Sequence, residues 1–264
     1  MMNSLVKEFC TPPLLPFTDA DRKSLTGAER FEIEFEGRII DAFSWGKGKT
    51  IILAHGWGSR ASHMAFIARY LSGAGFRTIT FDYPAHSSVR TEGIKEDSNM
   101  FEFCRALNTV VNKFDPVYAI IGHSLGAASA AFTVSGFAKL AHYKIEADKL
   151  ILISCFLDGN SIIRNFCLHH EKGLSVFEEL KGGLEKEFDF SADYYSVAEA
   201  MKLIKSDVLL IHDKDDDVFP INEAETIKSV NPNVTLFTTS GYGHYKILLN
   251  RNILKLIGDF LAKQ

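Results

Sequence analysis

Val117-Tyr118-Ala119-Ile120-Ile121-Gly122-His123-Ser124-Leu125-Gly126-Ala127-Ala128-Ser129-Ala130-Ala131 joins an apolar run, a Gly-x-Ser-x-Gly pentapeptide and a stretch of small residues. That order predicts a buried strand, a very tight turn and a helix packed close to the strand, the context a nucleophile elbow requires. Glycines two residues either side of Ser124 let strand and helix approach without Cβ clashes, and the turn itself strains the serine backbone. The hydroxyl is thereby lifted clear of the sheet, and the next amide, that of Leu125, points into the same space.

Outward from this stretch, short β-type runs alternate with helical patterns. Phe31–Phe35 and Gly37–Ser44 read as an antiparallel pair turning at Glu36-Gly37, and Thr50–Ala54 as a short apolar strand. His63–Ser72 reads as a helix capped at Ser62, Arg77–Phe81 as the next strand followed by a loop to about Thr91, and Ile94–Phe114 as a helix. The helix after the elbow runs to about Lys139. Further strands are expected at Lys149–Ile153, Val208–His212 and Val234–Thr238, with helices near Asn222–Ser229 and Lys246–Ala262. Short apolar strands alternating with helices predict an α/β fold, a mostly parallel sheet covered on both faces, with the early hairpin as an antiparallel edge.

Residues 155–205 break the alternation. They hold helical patches with Gly173 and Gly182-Gly183 between them, and the aromatics Phe156, Phe166, Phe177, Phe188, Phe190, Tyr194 and Tyr195. An insertion between two strands sits above their carboxyl ends, where α/β sheets keep their ligand crevice. We read 155–205 as a small helical cap on a core of residues 1–154 and 206–264. Its aromatics either attach the cap to the core or line a pocket, and Phe156, Phe166 and His123 are the candidate pocket residues.

A serine hydroxyl needs a base to take its proton, and the base needs an acid to orient it. After an elbow the chain order is serine, acid, histidine. The strand ending Leu209-Leu210-Ile211-His212 runs into Asp213-Lys214-Asp215-Asp216-Asp217-Val218-Phe219-Pro220, and the next ends at Ser240-Gly241-Tyr242-Gly243-His244. His244 is the candidate base. Asp216 is the candidate acid, with Asp215 as runner-up and Asp213 capping the turn. Read as a calcium loop, the run fails: the glycine and the twelfth-position glutamate are replaced by Val218 and Ala224. His123, adjacent to the serine, is expected to point away from it. His55 orders the loop beneath its strand, and His169-His170 belong to the cap. Oxyanion donors are expected from the amides of Leu125 and of Trp57, in the loop His55-Gly56-Trp57-Gly58-Ser59.

These segments, with Asp82-Tyr83-Pro84-Ala85-His86, resemble the α/β-hydrolase superfamily in content and order, from about Phe31 to the C-terminus. The resemblance implies an eight-stranded sheet, a Ser–Asp–His triad and no cofactor. Ser87 departs from it, standing where the family usually has glycine. Within such a fold a serine hydrolase of esters or thioesters is expected. C–C bond hydrolysis, perhydrolysis and a non-catalytic receptor are the alternatives, since fold alone does not choose among them.

Composition bounds the partners. A net charge of −4 and a pI near 6.1, with no basic stripe, exclude a nucleic-acid footprint. No window approaches the roughly 18 apolar residues of a membrane span, and Met1–Phe17 lacks the apolar core of a secretory signal. Cys10, Cys104, Cys155 and Cys167 form no C-x-x-C pair, so reduced thiols in a cytoplasmic protein are expected and no metal site. Cys155 follows a strand and could face a pocket, though a small buried filler is the favoured reading. The expected partner is a small ester or thioester with a short or medium apolar acyl group.

Overall fold

The structure is a computed structural model that describes residues 2–13, 16–86, 96–189 and 191–263. Among them eight strands form one sheet: β1 (Glu29–Phe35), β2 (Arg38–Trp45), β3 (Thr50–Ala54), β4 (Arg77–Phe81), β5 (Val117–His123), β6 (Lys149–Ile153), β7 (Asp207–Asp213) and β8 (Val234–Thr239). Their spatial order is β1-β2-β4-β3-β5-β6-β7-β8. β1 and β2 pair antiparallel with each other and β2 with β4, and every other neighbour pair is parallel. The hairpin turns at Glu36 and Gly37, both at positive φ (47° and 75°), as a two-residue connection demands.

The central strands bury both faces, so their side chains are apolar at consecutive positions and sort by parity. Ile52 and Ala54 of β3, Ile120 of β5 and Leu150 and Leu152 of β6 enter one core, which takes in helices α4 (Met100–Phe114) and α5 (Leu125–Ser135). Ile51 and Leu53, Ile121, and Ile151 and Ile153 enter the other. That second core is built on Met64, Ile67 and Leu71 of α3 (Ala61–Gly73) and Ile253 and Ile257 of α11 (Arg251–Ala262).

Several element ends differ from the sequence expectation, each for a local reason. Ser62 does not cap α3. The helix starts two residues before the expected His63, at Ala61, the amide of Ala61 donates to Asp82 Oδ1 at 2.7 Å, and the Ser62 hydroxyl donates to Asp21 Oδ1 at 2.6 Å. α4 starts at Met100, because the Asn99 side chain accepts the Glu102 amide. The expected loop end at Thr91 and helix start at Ile94, like Ser87 and Phe190, lie outside the described residues. α5 stops at Ser135, where Gly136 turns left-handed (φ 65°). The last helix begins at Arg251, capped by the Asn250 side chain, after the short α10 (Gly243–Lys246).

Between β6 and β7 lie α6 (Gly159–His169), α7 (Phe177–Phe188) and α8 (Val197–Met201). α7 runs straight through Gly182-Gly183, where the sequence suggests a break. The segment leaves and rejoins the core at one neck. Asp158 bridges Ser196, Gly159 donates to the Tyr195 carbonyl at 3.1 Å, and Val197 donates to that of Leu157 at 2.8 Å. α9 (Ile221–Ser229) follows β7, and two short helices precede the sheet, α1 (Ser4–Cys10) and α2 (Asp19–Ser24). Among the described residues no helix is long and apolar enough to cross a membrane.

Candidate active site

β5 ends at His123 and α5 begins at Leu125, so Ser124 alone makes the turn, at φ 53° and ψ −120°. For a residue with a side chain that conformation costs about 1–3 kcal/mol and persists only where its surroundings enforce it. They do. The Ser124 amide donates to the Ile153 carbonyl at 2.9 Å, tying the turn to the end of β6. A Cβ on Gly122 would lie 2.5 Å from Ala127 Cα, and one on Gly126 would lie 2.4 Å from the carbonyl oxygens of both Ala54 and His55. The Ser124 hydroxyl makes no capping bond to its own helix.

His244 lies in α10, after β8. Its Nδ1 is 2.9 Å from Asp216 Oδ2 and 3.1 Å from Oδ1, so Nδ1 carries a proton and Nε2 is the nitrogen left to exchange one. Asp216 Oδ1 also accepts the amides of Val218 and Phe219, each at 2.9 Å. Burial opposes ionisation of Asp216. The hydrogen bond and charge of His244 and the two amides outweigh it and hold the carboxyl below its usual range.

The neighbouring aspartates face elsewhere. Asp213 accepts the Asp215 amide at 3.0 Å and the Thr239 hydroxyl at 2.6 Å, and Asp215 Oδ2 accepts the Gly241 amide at 2.8 Å. These two carboxylates therefore fasten the Ser240–Gly243 loop that carries His244, while Asp216 meets the imidazole. Asp217 is exposed.

One cavity of about 840 Å³ is lined by Ser124, His244 and Tyr245 together with Trp57, Leu125 and His123. Phe156, Phe166 and Phe188 line it too, so part of the aromatic set in the insertion faces the site. Tyr195 instead packs into the core against Phe132, at 6.1 Å between ring centroids, and Tyr194 is 55% exposed. Cys155 is fully buried outside the cavity lining, and burial pushes its thiol far above the usual range. Gly56 runs against the elbow: a Cβ there would lie 3.0 Å from Ser124 Cβ and 3.2 Å from His123 Nδ1. The Trp57 ring packs on His86 at 4.9 Å and on Phe103 at 5.9 Å.

The buried histidines around the elbow are fixed in tautomer by their partners. His55 Nε2 accepts the Tyr83 amide at 3.0 Å and its Nδ1–H donates to the Gly56 carbonyl at 2.8 Å, so His55 orders the loop beneath the site. His123 Nε2–H donates to the His244 carbonyl at 2.9 Å. Burial, with the nearby imidazole of His244, takes His123 down to about 3 and keeps it neutral.

Sequence reasoning missed the N-terminal segment. Phe9, Cys10 and Pro12 line the cavity, although they precede the sheet. The available signal was Asn3 as a helix cap followed by the apolar Leu5, Val6, Phe9 and Cys10, a pattern too short to separate from a loop.

The sequence profile described as the Alpha/beta hydrolase family matches residues 51–198, more than half of the chain. No curated protein sequence matches this one. Among solved structures the fold is similar to an esterase of Pyrococcus furiosus, with a TM-score of 0.68 and 21% identity over 96% of each chain. It is also similar to a thioesterase domain from the curacin biosynthetic pathway, with a TM-score of 0.63 and 16% identity over 90% of this chain and 100% of that one. A meta-cleavage product hydrolase of Pseudomonas fluorescens aligns with a TM-score of 0.61 and 16% identity, over 87% of this chain and 96% of that one. With its eight-stranded sheet, its elbow and that profile match, the chain belongs to the α/β-hydrolase family and is a hydrolase.

Proposed function

We propose that the protein is a serine hydrolase of carboxylic esters or thioesters bearing a small or medium apolar acyl group. The observation that carries this reading is the Asp216–His244 hydrogen bond, formed at the wall of the cavity that also holds the strained Ser124. Ser124 Oγ attacks the acyl carbon while His244 Nε2 takes its proton, and Asp216 stabilises the imidazolium through Nδ1. The Leu125 and Trp57 amides hold the oxyanion. Collapse of the tetrahedral intermediate expels the alcohol or thiol, which receives the proton from His244. Water, deprotonated by the same nitrogen, then hydrolyses the acyl-enzyme.

The cavity supports an apolar acyl group, since Phe156, Phe166 and Phe219 line it. His123 belongs to that lining and to the support of His244. In this reading residues 155–205 are the cap, and residues 1–154 and 206–264 are the core. The four cysteines are buried and joined by no disulfide, which fits a reducing, cytoplasmic setting. Turnover of p-nitrophenyl butyrate by the purified protein, with Ser124→Ala as control, tests the assignment. Activity is expected only with the serine present, and equal rates in the two proteins would overturn it.

A further inference from the structure

The N-terminal segment Ser4–Pro13 precedes every strand and lies outside the residues that match the family profile, yet it forms one wall of the cavity. Its attachment is specific. The Phe9 ring meets that of Phe166 edge-on, with centroids 5.3 Å apart, joining α1 to α6. A Cβ on Gly183 would come within 2.6 Å of Val6 Cγ2, so α1 lies in close contact with α7 there. Glu8 Oε2 is 3.5 Å from His170 Nε2. On the core side, the Ser98 amide donates to the Cys10 carbonyl at 2.8 Å, and Pro13 packs against Gly58 in the loop that carries Trp57.

The segment therefore spans from the insertion to the core across the cavity, and presents an aromatic ring and a buried thiol to its interior. Neither side chain belongs to the catalytic set, and neither offers a strong hydrogen-bond donor or a charge at neutral pH. What such a wall can do is stop an alkyl chain. Burying each further methylene favours binding by about fourfold, until the chain meets a ring that cannot move aside.

We propose that Ser4–Pro13 completes the acyl pocket and that Phe9, braced by Phe166, limits the length of acyl chain accepted. This rests on the hydrolase reading above for the position of the reacting carbon. The ring would close the pocket against acyl chains longer than medium length, and its removal would open the pocket toward α6 and α7.

The test uses the full chain, Phe9→Ala and Phe9→Trp, with a p-nitrophenyl ester series from acetate to palmitate. Phe9→Ala is expected to raise the ratio of laurate to butyrate kcat/KM by about tenfold or more, and Phe9→Trp to lower it by a similar factor. In parallel, thermal stabilisation by saturated carboxylates from butyrate to laurate is measured on Ser124→Ala and on the same Phe9 variants in that background. The chain length giving the largest shift should lengthen with alanine and shorten with tryptophan. One carboxylate length profile shared by all three forms, or one shared ester profile where esters are turned over, overturns the proposal. No hydrolysis by the wild type, with carboxylate profiles that still follow residue 9, would overturn the ester reading while upholding the pocket.

Discussion

His123 donates its Nε2–H across 2.9 Å to the main-chain carbonyl of His244, so the residue before the proposed nucleophile holds the backbone of the proposed base. Elbow and histidine loop come from distant parts of the chain, and this bond ties one to the other. The carbonyl can only accept, so a ring without a donor leaves it unpaired in a buried place, at a cost of about 1–3 kcal/mol. His123→Phe, similar in shape, should lower kcat by about tenfold or more with little change in KM, and slow labelling of Ser124 by a fluorophosphonate. His123→Gln should recover part of the loss. A phenylalanine variant with wild-type kcat would show that the bond does not position the base.

The aspartate turn makes separable predictions. Asp216→Asn leaves an amide opposite Nδ1 and favours the wrong imidazole tautomer, so turnover should fall by about 10⁴. Asp215→Asn keeps an acceptor oxygen for the Gly241 amide and removes only the charge, so it should stay within about tenfold of wild type. Steady-state rates on one short ester decide the matter. Collapse of Asp215→Asn with Asp216→Asn nearly intact would move the acid one residue upstream.

Two glycines should respond to alanine with opposite signs. A methyl on Gly126 would overlap the Ala54 and His55 carbonyl oxygens at 2.4 Å, so Gly126→Ala should destabilise by about 2–3 kcal/mol or more. Gly182 lies exposed inside α7, with nothing within 4 Å of its added carbon. Gly182→Ala should stabilise by roughly 0.5–1 kcal/mol. Urea midpoints of the two variants, at constant m, provide the comparison.

Acid should destabilise the fold before the surface carboxylates titrate. Burial holds His123 at about 3 and His86 at about 4, against an ordinary value of 6.5. Below 6.5 the unfolded chain binds protons that the folded one refuses, so stability falls as pH drops from about 6.5 toward 4. Asp82 has the opposite sign. Burial, opposed by its bond from the Ala61 amide, lifts it from 3.8 to about 7, so the folded state keeps a proton that the unfolded state loses, and stability declines as pH rises through that window. His55, also held well below its ordinary value by burial, adds to the histidine side, and the raised Glu223 to the carboxyl side. Three histidines against two carboxyls leave a net loss on acidification of order 1 kcal/mol per pH unit. Urea unfolding between pH 7 and pH 4.5 should register it, with a shallower slope in His86→Asn. Stability that rises on acidification would contradict the balance.

The strands were legible because a central strand that buries both faces favours apolar and β-branched residues at consecutive positions, as in Ile51-Ile52-Leu53-Ala54, Thr78-Ile79-Thr80-Phe81 and Leu150-Ile151-Leu152-Ile153. Thr50–Ala54, Arg77–Phe81 and Lys149–Ile153 could be read to the residue. The elbow was legible because its glycines are sterically compulsory. Helix starts were less so, since the partner that caps them is often far along the chain. Asp82, not Ser62, receives the first amide of α3. The N-terminal wall was the least visible. Seven residues of helix are too few to carry a clear periodic signal, and Val6 is buried against partners far away in sequence, Gly183 among them.

The neck at Asp158 and Ser196 has a further consequence. Because departing and returning strands are stitched together there by main-chain bonds, the entropy of closing the insertion into a loop is met within four residues of backbone, whatever lies between them. The sheet register is therefore set at the seam, whereas the packing above it, Tyr195 against Phe132 included, depends on what the insertion contains. A shorter or longer segment grafted between Asp158 and Ser196 is expected to alter the lining beside Ser124 and to cost the contacts of Phe166 with Phe9 and of Tyr195 with Phe132, while leaving the register of β6 against β7 untouched.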